Sequence, residues 1–339
     1  MRYLFKQVLA KGGIRALLPF SRSRCHLIMF HGLTDHPPLF ATEDCGGKHI
    51  HVDDFRRVLQ WLKTYFTVVP LEAIVAALEE GKDLPPNSIA LTFDDGYESN
   101  YTLAYPVLRE LGLPATIFLA TRFIEERQPL WTCRVEYAVG CSEQPTASLR
   151  VADTIVSGPL ATPAQRIALV SQVKQVIKAG DQSRIGLYCE TLEEQLGVRL
   201  DFGTCDTPCS RPLSWGQIRE MAAGDLISFG GHGHNHVILG HCPDDVVREE
   251  AQTCWDLLRQ RLGGERRTFA YPNGTPGDYR PNTHELLAQA GFSCALSTVE
   301  GSCVPGLTRA FGAPRIAVCS DTEPWSLVGR MLRRRPVNG

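Results

Sequence analysis

The sequence predicts an α/β fold: a barrel of seven or eight (β/α) units interrupted by a helical insertion. Three observations lead there. Short apolar runs, which read as buried strands, alternate with amphipathic stretches of helical period. Alternating β and α elements imply a parallel sheet with helical crossovers. The residues that carry chemistry fall at or just after the ends of the apolar runs, where sites of such barrels are built. From the pattern alone, an open doubly wound sheet is the alternative.

The elements follow in order. Leu27-Ile28-Met29-Phe30 is the first apolar run, closed by His31 and Gly32. An amphipathic stretch at 53–65 leads to a short strand at 67–69 and a helix at 71–80. The run Ile89-Ala90-Leu91-Thr92-Phe93 ends in two adjacent carboxylates, Asp94 and Asp95, and Gly96. A helix at 99–111 leads to a strand at 115–120. After a long interruption come a helix at 215–223 and a strand at 226–230, ending in Gly230-Gly231-His232-Gly233-His234-Asn235-His236. A helix at 244–262, a strand at 268–271, a helix at 283–290 and strands at 293–297 and 315–318 complete the series.

Residues 122–212 break the rhythm, with helical segments at 164–178 and 185–196 and few strand signals. They read as an insertion, either over the barrel mouth or packed on its outside. The chain then divides into a basic amphipathic segment at 1–24, the main domain at 25–320 with that insertion, and a basic C-terminal helix or tail at 321–339.

Composition narrows the function. The chain is 43% hydrophobic and 21% charged with a net charge of -2, so no global basic field points to nucleic acid. No apolar run reaches the ~20 residues of a membrane span. Lys6, Lys11 and Arg15 interrupt the apolar N-terminus, so no cleavable signal peptide is expected and a cytoplasmic location follows. The twelve cysteines are scattered, and the closest pair, Cys205 and Cys209, lacks Cys-x-x-Cys spacing. They read as reduced, mostly buried thiols. Basic residues among apolar ones at both ends, such as Arg2, Lys6, Arg330 and Arg333, suit either solvated helix faces packed on the domain itself or peripheral contact with an anionic membrane.

The two polar clusters suggest a hydrolytic metal site: a carboxylate pair at one strand end, three imidazoles at another. Thr92-Phe93-Asp94-Asp95-Gly96 resembles the first motif of the polysaccharide deacetylases, the NodB-type carbohydrate esterase family 4. His232-Gly233-His234-Asn235-His236 resembles the second, two histidines four residues apart, with Gly233 where the family usually has serine or threonine. Phe269-Ala270-Tyr271-Pro272-Asn273-Gly274 is similar to the third motif of one branch. The resemblance runs over about residues 26–320 and implies a distorted (β/α)7 barrel.

It also implies roles. Asp95, His232 and His236 would hold one divalent metal ion, zinc or a similar metal, and Asp94 would be the general base. His234 rivals the other histidines, because alternation along an extended segment would put all three on one face. The same alternation would turn Asp94 and Asp95 to opposite sides. No C-terminal Leu-x-His motif follows residue 300, and the branch that carries its acid on an N-terminal strand makes His31 the general acid. Asn273 matches the position whose backbone N–H binds the oxyanion, beside Tyr271. The arginine that steadies the base is absent from the third motif; Arg315, at the start of the last expected strand, can supply that cation from the neighbouring wall.

The implied activity is metal-dependent removal of N-acetyl groups from an amino sugar in a polysaccharide, oligosaccharide or lipid-linked sugar. An amide hydrolase of the same fold acting on a small non-sugar amide or imide is the alternative. A non-catalytic carbohydrate-binding protein is a third reading, opposed by the intact Asp94, Asp95, His232 and His236.

Overall fold

The computed structural model describes residues 24–198, 207–264 and 267–332. Segment 1–23, Cys205 and Arg333 to Arg335 lie outside the described residues. In chain order the first elements are strands β1 (His26–Phe30), β2 (Leu33–Thr34) and β3 (Ile50–His51), helix α1 (Val52–Tyr65), β4 (Thr67–Val68), α2 (Leu71–Glu80) and β5 (Ser88–Phe93). Helix α3 (Tyr105–Leu111), β6 (Ala115–Leu119), α4 (Thr121–Glu126) and α5 (Trp131–Cys141) follow. Next come β7 (Thr146–Val151), β8 (Thr154–Pro159), α6 (Pro163–Ala179), α7 (Ile185–Leu196), α8 (Trp215–Ala222) and β9 (Ile227–Gly231). The chain ends with α9 (Asp244–Leu262), β10 (Arg267–Ala270), α10 (Pro281–Ala290), β11 (Phe292–Glu300), β12 (Phe311–Ala317) and α11 (Pro324–Leu332).

The parallel pairings run β1, β12, β11, β10, β9, β6, β5, and β5 pairs again with β1. Seven strands therefore close on themselves, and β4 pairs with β5 alone. The open doubly wound sheet is excluded by that closure.

Two apolar clusters show which way each side chain faces. Leu27, Ala90, Phe118, Ala270, Leu296 and Ala313, from six strands, share one buried cluster. Ile28, Phe30, Leu91, Phe93 and Ile117 pack in the other with the α1 residues Phe55, Leu59 and Leu62. The period of two along a strand separates the barrel interior from the helix-facing surface. The inward rows continue to His31, Thr92 and Asp94, His232 and Arg315. Gly230 makes room at β9: a Cβ there would stand 2.5 Å from the Thr268 carbonyl oxygen and 2.6 Å from the Phe118 ring.

Three expectations need correction. The helix at 99–111 is two pieces, a π-helical turn at Asn100–Ala104 and then α3. Pro106 has no N–H to give to the preceding turn, and the backbone widens there. The last strand begins at Phe311, so Arg315 sits in its middle rather than at its start. Residues 122–212 contain an antiparallel hairpin, β7 with β8, in a stretch where few strand signals were read. Ala147, Leu149 and Val151 are buried at alternate positions, a true strand signal. The hairpin's two-residue turn, Ala152-Asp153, puts a non-glycine residue at φ 52° and so lacks the usual Asn-Gly signature.

The inserted segment touches the rim of the barrel through polar contacts. Lys178 Nζ donates to Asn273 Oδ1 at 2.6 Å, and Ile238 N–H donates to Gln182 Oε1 at 3.1 Å. No helix among the described residues is long and apolar enough to cross a membrane.

Candidate active site

The site lies at the C-terminal ends of β1, β5, β9, β10 and β12. Strand β5 stops at Phe93, and the Asp94 N–H donates to the Phe30 carbonyl at 3.0 Å, which ties the carboxylate pair to the end of β1. Asp94 continues the inward row of β5. Strand alternation would turn Asp95 outward, but both aspartates are buried at the mouth. The reason is the left-handed backbone at Asp95, φ 76°, which turns the chain as soon as the strand ends. The two carboxylates diverge through this turn, not through the pleat.

Asp94 is clamped. Arg315 Nη1 and Nη2 donate to Asp94 Oδ1 and Oδ2, each at 2.7 Å, a bidentate pair. Arg315 Nε donates to the Ser297 carbonyl at 2.9 Å, and the guanidinium is 1% exposed. Burial is the largest single effect and pushes the Asp94 carboxyl upward, but the Arg315 charge and hydrogen bonds together with the His232 and His31 charges outweigh it, so Asp94 ionises below the usual carboxylate range. A buried ion pair this well aligned holds the anion in one orientation.

Asp95 meets the histidines. His232 Nε2 and His236 Nε2 stand 3.3 and 3.1 Å from Asp95 Oδ1. These are ion-pair distances, but the atoms are not aligned as hydrogen bonds, and both Asp95 oxygens are buried with no hydrogen-bond partner. His232 Nδ1 contacts the Ala270 carbonyl at 2.7 Å, which leaves its Nε2 free to act as a ligand. One ligand atom each from Asp95, His232 and His236 lies within 4.8 Å of the others. Two imidazoles and one carboxylate converge here, all three buried and the carboxylate without a hydrogen-bond partner, a donor set that fits a metal ion.

His234 is turned away. Strand β9 ends at Gly231, and Gly233 takes φ 77°, so the segment is not extended and alternation fails. His234 Nδ1 lies 3.0 Å from Thr121 Oγ1, outside the cluster. Glu250, buried on the inner face of α9, accepts the His234 and Asn235 N–H groups at 2.9 Å each. That carboxylate shapes the loop that presents His232 and His236. Its signal in the sequence was a lone acid on the apolar face of α9, among Val247, Ala251 and Cys254.

His31 follows β1 at the rim, half-buried, and its carbonyl accepts from Asn100 Nδ2 at 2.8 Å. Burial lowers its pKa to about 4, opposed by the Asp95 and Asp94 charges, so the imidazole at rest is neutral at pH 7. Beyond β10, Asn273 adopts φ 64°. Its side chain is held by Lys178 and by Asp278, and its carbonyl accepts from Thr298 Oγ1 at 2.8 Å. Its own N–H has no partner among the described residues. Tyr271 stacks on Tyr279, centroids 4.2 Å apart, with its hydroxyl buried and unpartnered. The Tyr271 N–H is taken by the Leu296 carbonyl at 3.0 Å, so it is not a free donor.

Lys48 was not anticipated. Asp44 accepts from the Lys48 and His49 N–H groups at 2.8 and 3.0 Å and fixes the loop over the end of β1. His49 packs so closely on Gly32 that a Cβ there would stand 2.1 Å from its ring. From this loop the half-buried Lys48 ammonium acts on Asp95, His31 and His236.

Comparison with known proteins decides the family. The polysaccharide deacetylase model matches residues 81–295, more than half of the chain. The chain belongs to the polysaccharide deacetylase family. Members are hydrolases of carbon–nitrogen bonds, and the matched span holds Asp94, Asp95, His232, His236, Tyr271 and Asn273 but neither His31 nor Arg315. A poly-beta-1,6-N-acetyl-D-glucosamine N-deacetylase of Staphylococcus epidermidis is 30% identical over 115 residues, 32% of this chain and 39% of that protein. The protein of that name from Escherichia coli K12 is 36% identical over 67 residues, 20% of this chain and 10% of its own. Both matches cover less than two thirds of those relatives' length. Among solved structures, the Streptococcus pyogenes deacetylase PplD in complex with acetate superposes with a TM-score of 0.59 at 18% identity, covering 91% of this chain and 99% of that one. IcaB from Ammonifex degensii superposes at 0.57 and 19% identity, covering 91% and 97%. At such identities these structures speak for the deacetylase fold alone.

Proposed function

We propose that this polysaccharide deacetylase is a metal-dependent hydrolase that removes N-acetyl groups from an amino sugar in a polysaccharide, oligosaccharide or lipid-linked sugar. The observation that carries the reading is the juxtaposition of two differently committed aspartates: Asp95 against His232 and His236, and Asp94 against Arg315. Asp95, His232 and His236 would hold the ion, zinc or a similar divalent metal. When bound, such a cation polarises the acetamide carbonyl and brings the pKa of water towards ~7.

The chain's own groups do the rest. Asp94, ionised and held by Arg315, accepts the proton of the attacking water. The Asn273 N–H donates to the oxygen on which negative charge develops. His31, whose imidazole feels the charges of both Asp95 and Asp94, passes a proton to the leaving nitrogen. Because the resting imidazole is neutral, that proton is the one first taken by Asp94. The C–N bond breaks, and the products are acetate and the free amino sugar. General acid–base groups of this kind contribute ~10²–10⁴-fold. In the described part of the basic C-terminal end, Leu327 and Met331 are buried in the core and Arg330 pairs with Glu300 at 3.1 Å, which supports packing on the domain rather than contact with an anionic membrane surface.

The test is acetate release from a panel of N-acetylated oligosaccharides, lipid-linked N-acetyl sugars and small non-sugar amides by metal-loaded protein. Acetate and free amine are expected from the sugars and not from the Asp94→Asn variant. Turnover confined to the small amides or imides would replace this reading with the alternative hydrolase.

A further inference from the structure

The end of helix α6, in the inserted segment, grips two loops of the site at once. One is the loop after β10 that carries Asn273. Its side-chain amide meets partners of opposite kind: Lys178 Nζ donates to Asn273 Oδ1 at 2.6 Å, and Asn273 Nδ2 donates to Oδ2 of the buried Asp278 at 2.6 Å. A donor-only and an acceptor-only partner leave that amide one orientation. The other loop follows β9 and carries His236. Gln182, buried in the short turn after α6, accepts the Ile238 N–H at Oε1, 3.1 Å away. Its Nε2 donates to the Ile177, Lys178 and Gly180 carbonyls at 3.0, 3.2 and 3.0 Å, which fixes Gln182 on the end of α6. His241 Nδ1 lies 2.7 Å from the Lys178 carbonyl oxygen.

The grip matters because Asn273 sits where a non-glycine residue rarely stays. Its φ of 64° is in the left-handed region, and its N–H has no partner among the described residues. The direction of that N–H turns with the backbone. Thr298 Oγ1 donates to the Asn273 carbonyl at 2.8 Å, and Asp278 accepts the Thr275 N–H at 2.6 Å. Those tethers come from the barrel's own chain. Lys178 adds one from the inserted segment, and through Gln182 the same helix end is keyed to Ile238, two residues beyond His236. The two loops also meet directly, the Gly240 N–H donating to the Asp278 carbonyl at 2.6 Å.

We propose that Lys178 is a positioning residue for deacetylation: it holds the Asn273 N–H on the developing oxyanion, while Gln182 keys the same helix end to the loop of His236. This rests on the deacetylase reading and deepens it. The inserted segment then serves the chemical step and not substrate choice alone. Lys178 acts through Asn273. A donor to the oxyanion counts mainly in the transition state, so the effect falls on kcat and leaves KM nearly unchanged.

The experiment is a double-mutant cycle on the metal-loaded full chain, read as acetate release from the N-acetylated sugar that the wild type turns over best. Lys178→Met should lower kcat about tenfold, short of the ~10²–10³-fold lost with a whole oxyanion donor, and keep KM within about twofold of wild type. Lys178→Arg keeps a donor at this position and should restore most of the rate. Asn273→Gly retains the backbone N–H and accepts positive φ, but has no amide for Lys178 to hold. In that background Lys178→Met should cost nothing further. Metal content should equal wild type in every variant. Full kcat in Lys178→Met, a loss confined to KM, a loss of metal, or an equal further loss on top of Asn273→Gly would overturn the positioning role. Absence of acetate from every sugar with the wild type would instead overturn the deacetylase reading.

Discussion

Strand β1 has an imidazole at each end, and only one of them faces the site. His26 opens the strand and His31 follows it. Burial lowers the pKa of each to about 4. Around His26 the surroundings are apolar or cationic: the Phe66 ring lies edge-on at 6.5 Å, and the Arg24 charge adds to the effect of burial. Around His31 the Asp95 and Asp94 charges work against burial. A shifted histidine therefore marks both ends of the barrel. What sets the upper end apart is convergence of opposed charges, consistent with chemistry at the C-terminal face and stability at the other.

The sharpest way to break that contrast is to remove each ring. His31→Ala should slow acetate release by about 10²–10⁴-fold, whereas His26→Phe should leave turnover at neutral pH at the wild-type level. Near wild-type rates in His31→Ala would make the two ends equivalent.

Arg315 tests the upper end through stability. Arg315→Met leaves the Asp94 carboxylate buried without its partner, and urea unfolding should show a loss of about 3–5 kcal/mol. A loss below about 1 kcal/mol would mean that Asp94 protonates or finds another donor at little cost.

At the lower end the sign follows from a depressed histidine. The unfolded chain protonates His26 near 6.5 and the folded one near 4, so this contribution is complete above 6.5 and is lost as pH falls towards 4. The loss amounts to about 3 kcal/mol at most. His26→Phe should remove that share of the acid-side decline in unfolding free energy. An unchanged decline would show that His26 charges freely inside the fold.

The barrel was legible because its strands are compact apolar runs and its motifs sit where those runs stop. The hairpin of β7 and β8 was missed: its alternation, Ala147, Leu149 and Val151, lies in a stretch dominated by helices, and Ala152-Asp153 carries no glycine. The two motif aspartates and the outer histidines were visible as residue types. Their separation into an arginine-clamped carboxylate and a histidine-facing one was implied by the family resemblance and not by strand periodicity, because it depends on positive φ at Asp95 and Gly233. Period-two reasoning fails wherever a strand has already ended. Glu250, Asn100 and Lys48 reach the site from a helix, a π-helical turn and a loop, so no short sequence window contained them with their partners.

Metal content tests the central claim most directly. Purified, zinc-loaded wild type and the His236→Ala and His234→Ala variants can be compared by elemental analysis after dialysis. The account predicts about one ion per chain in the wild type and in His234→Ala, and a large loss in His236→Ala. Full metal in His236→Ala, or its loss in His234→Ala, would contradict the Asp95, His232 and His236 centre.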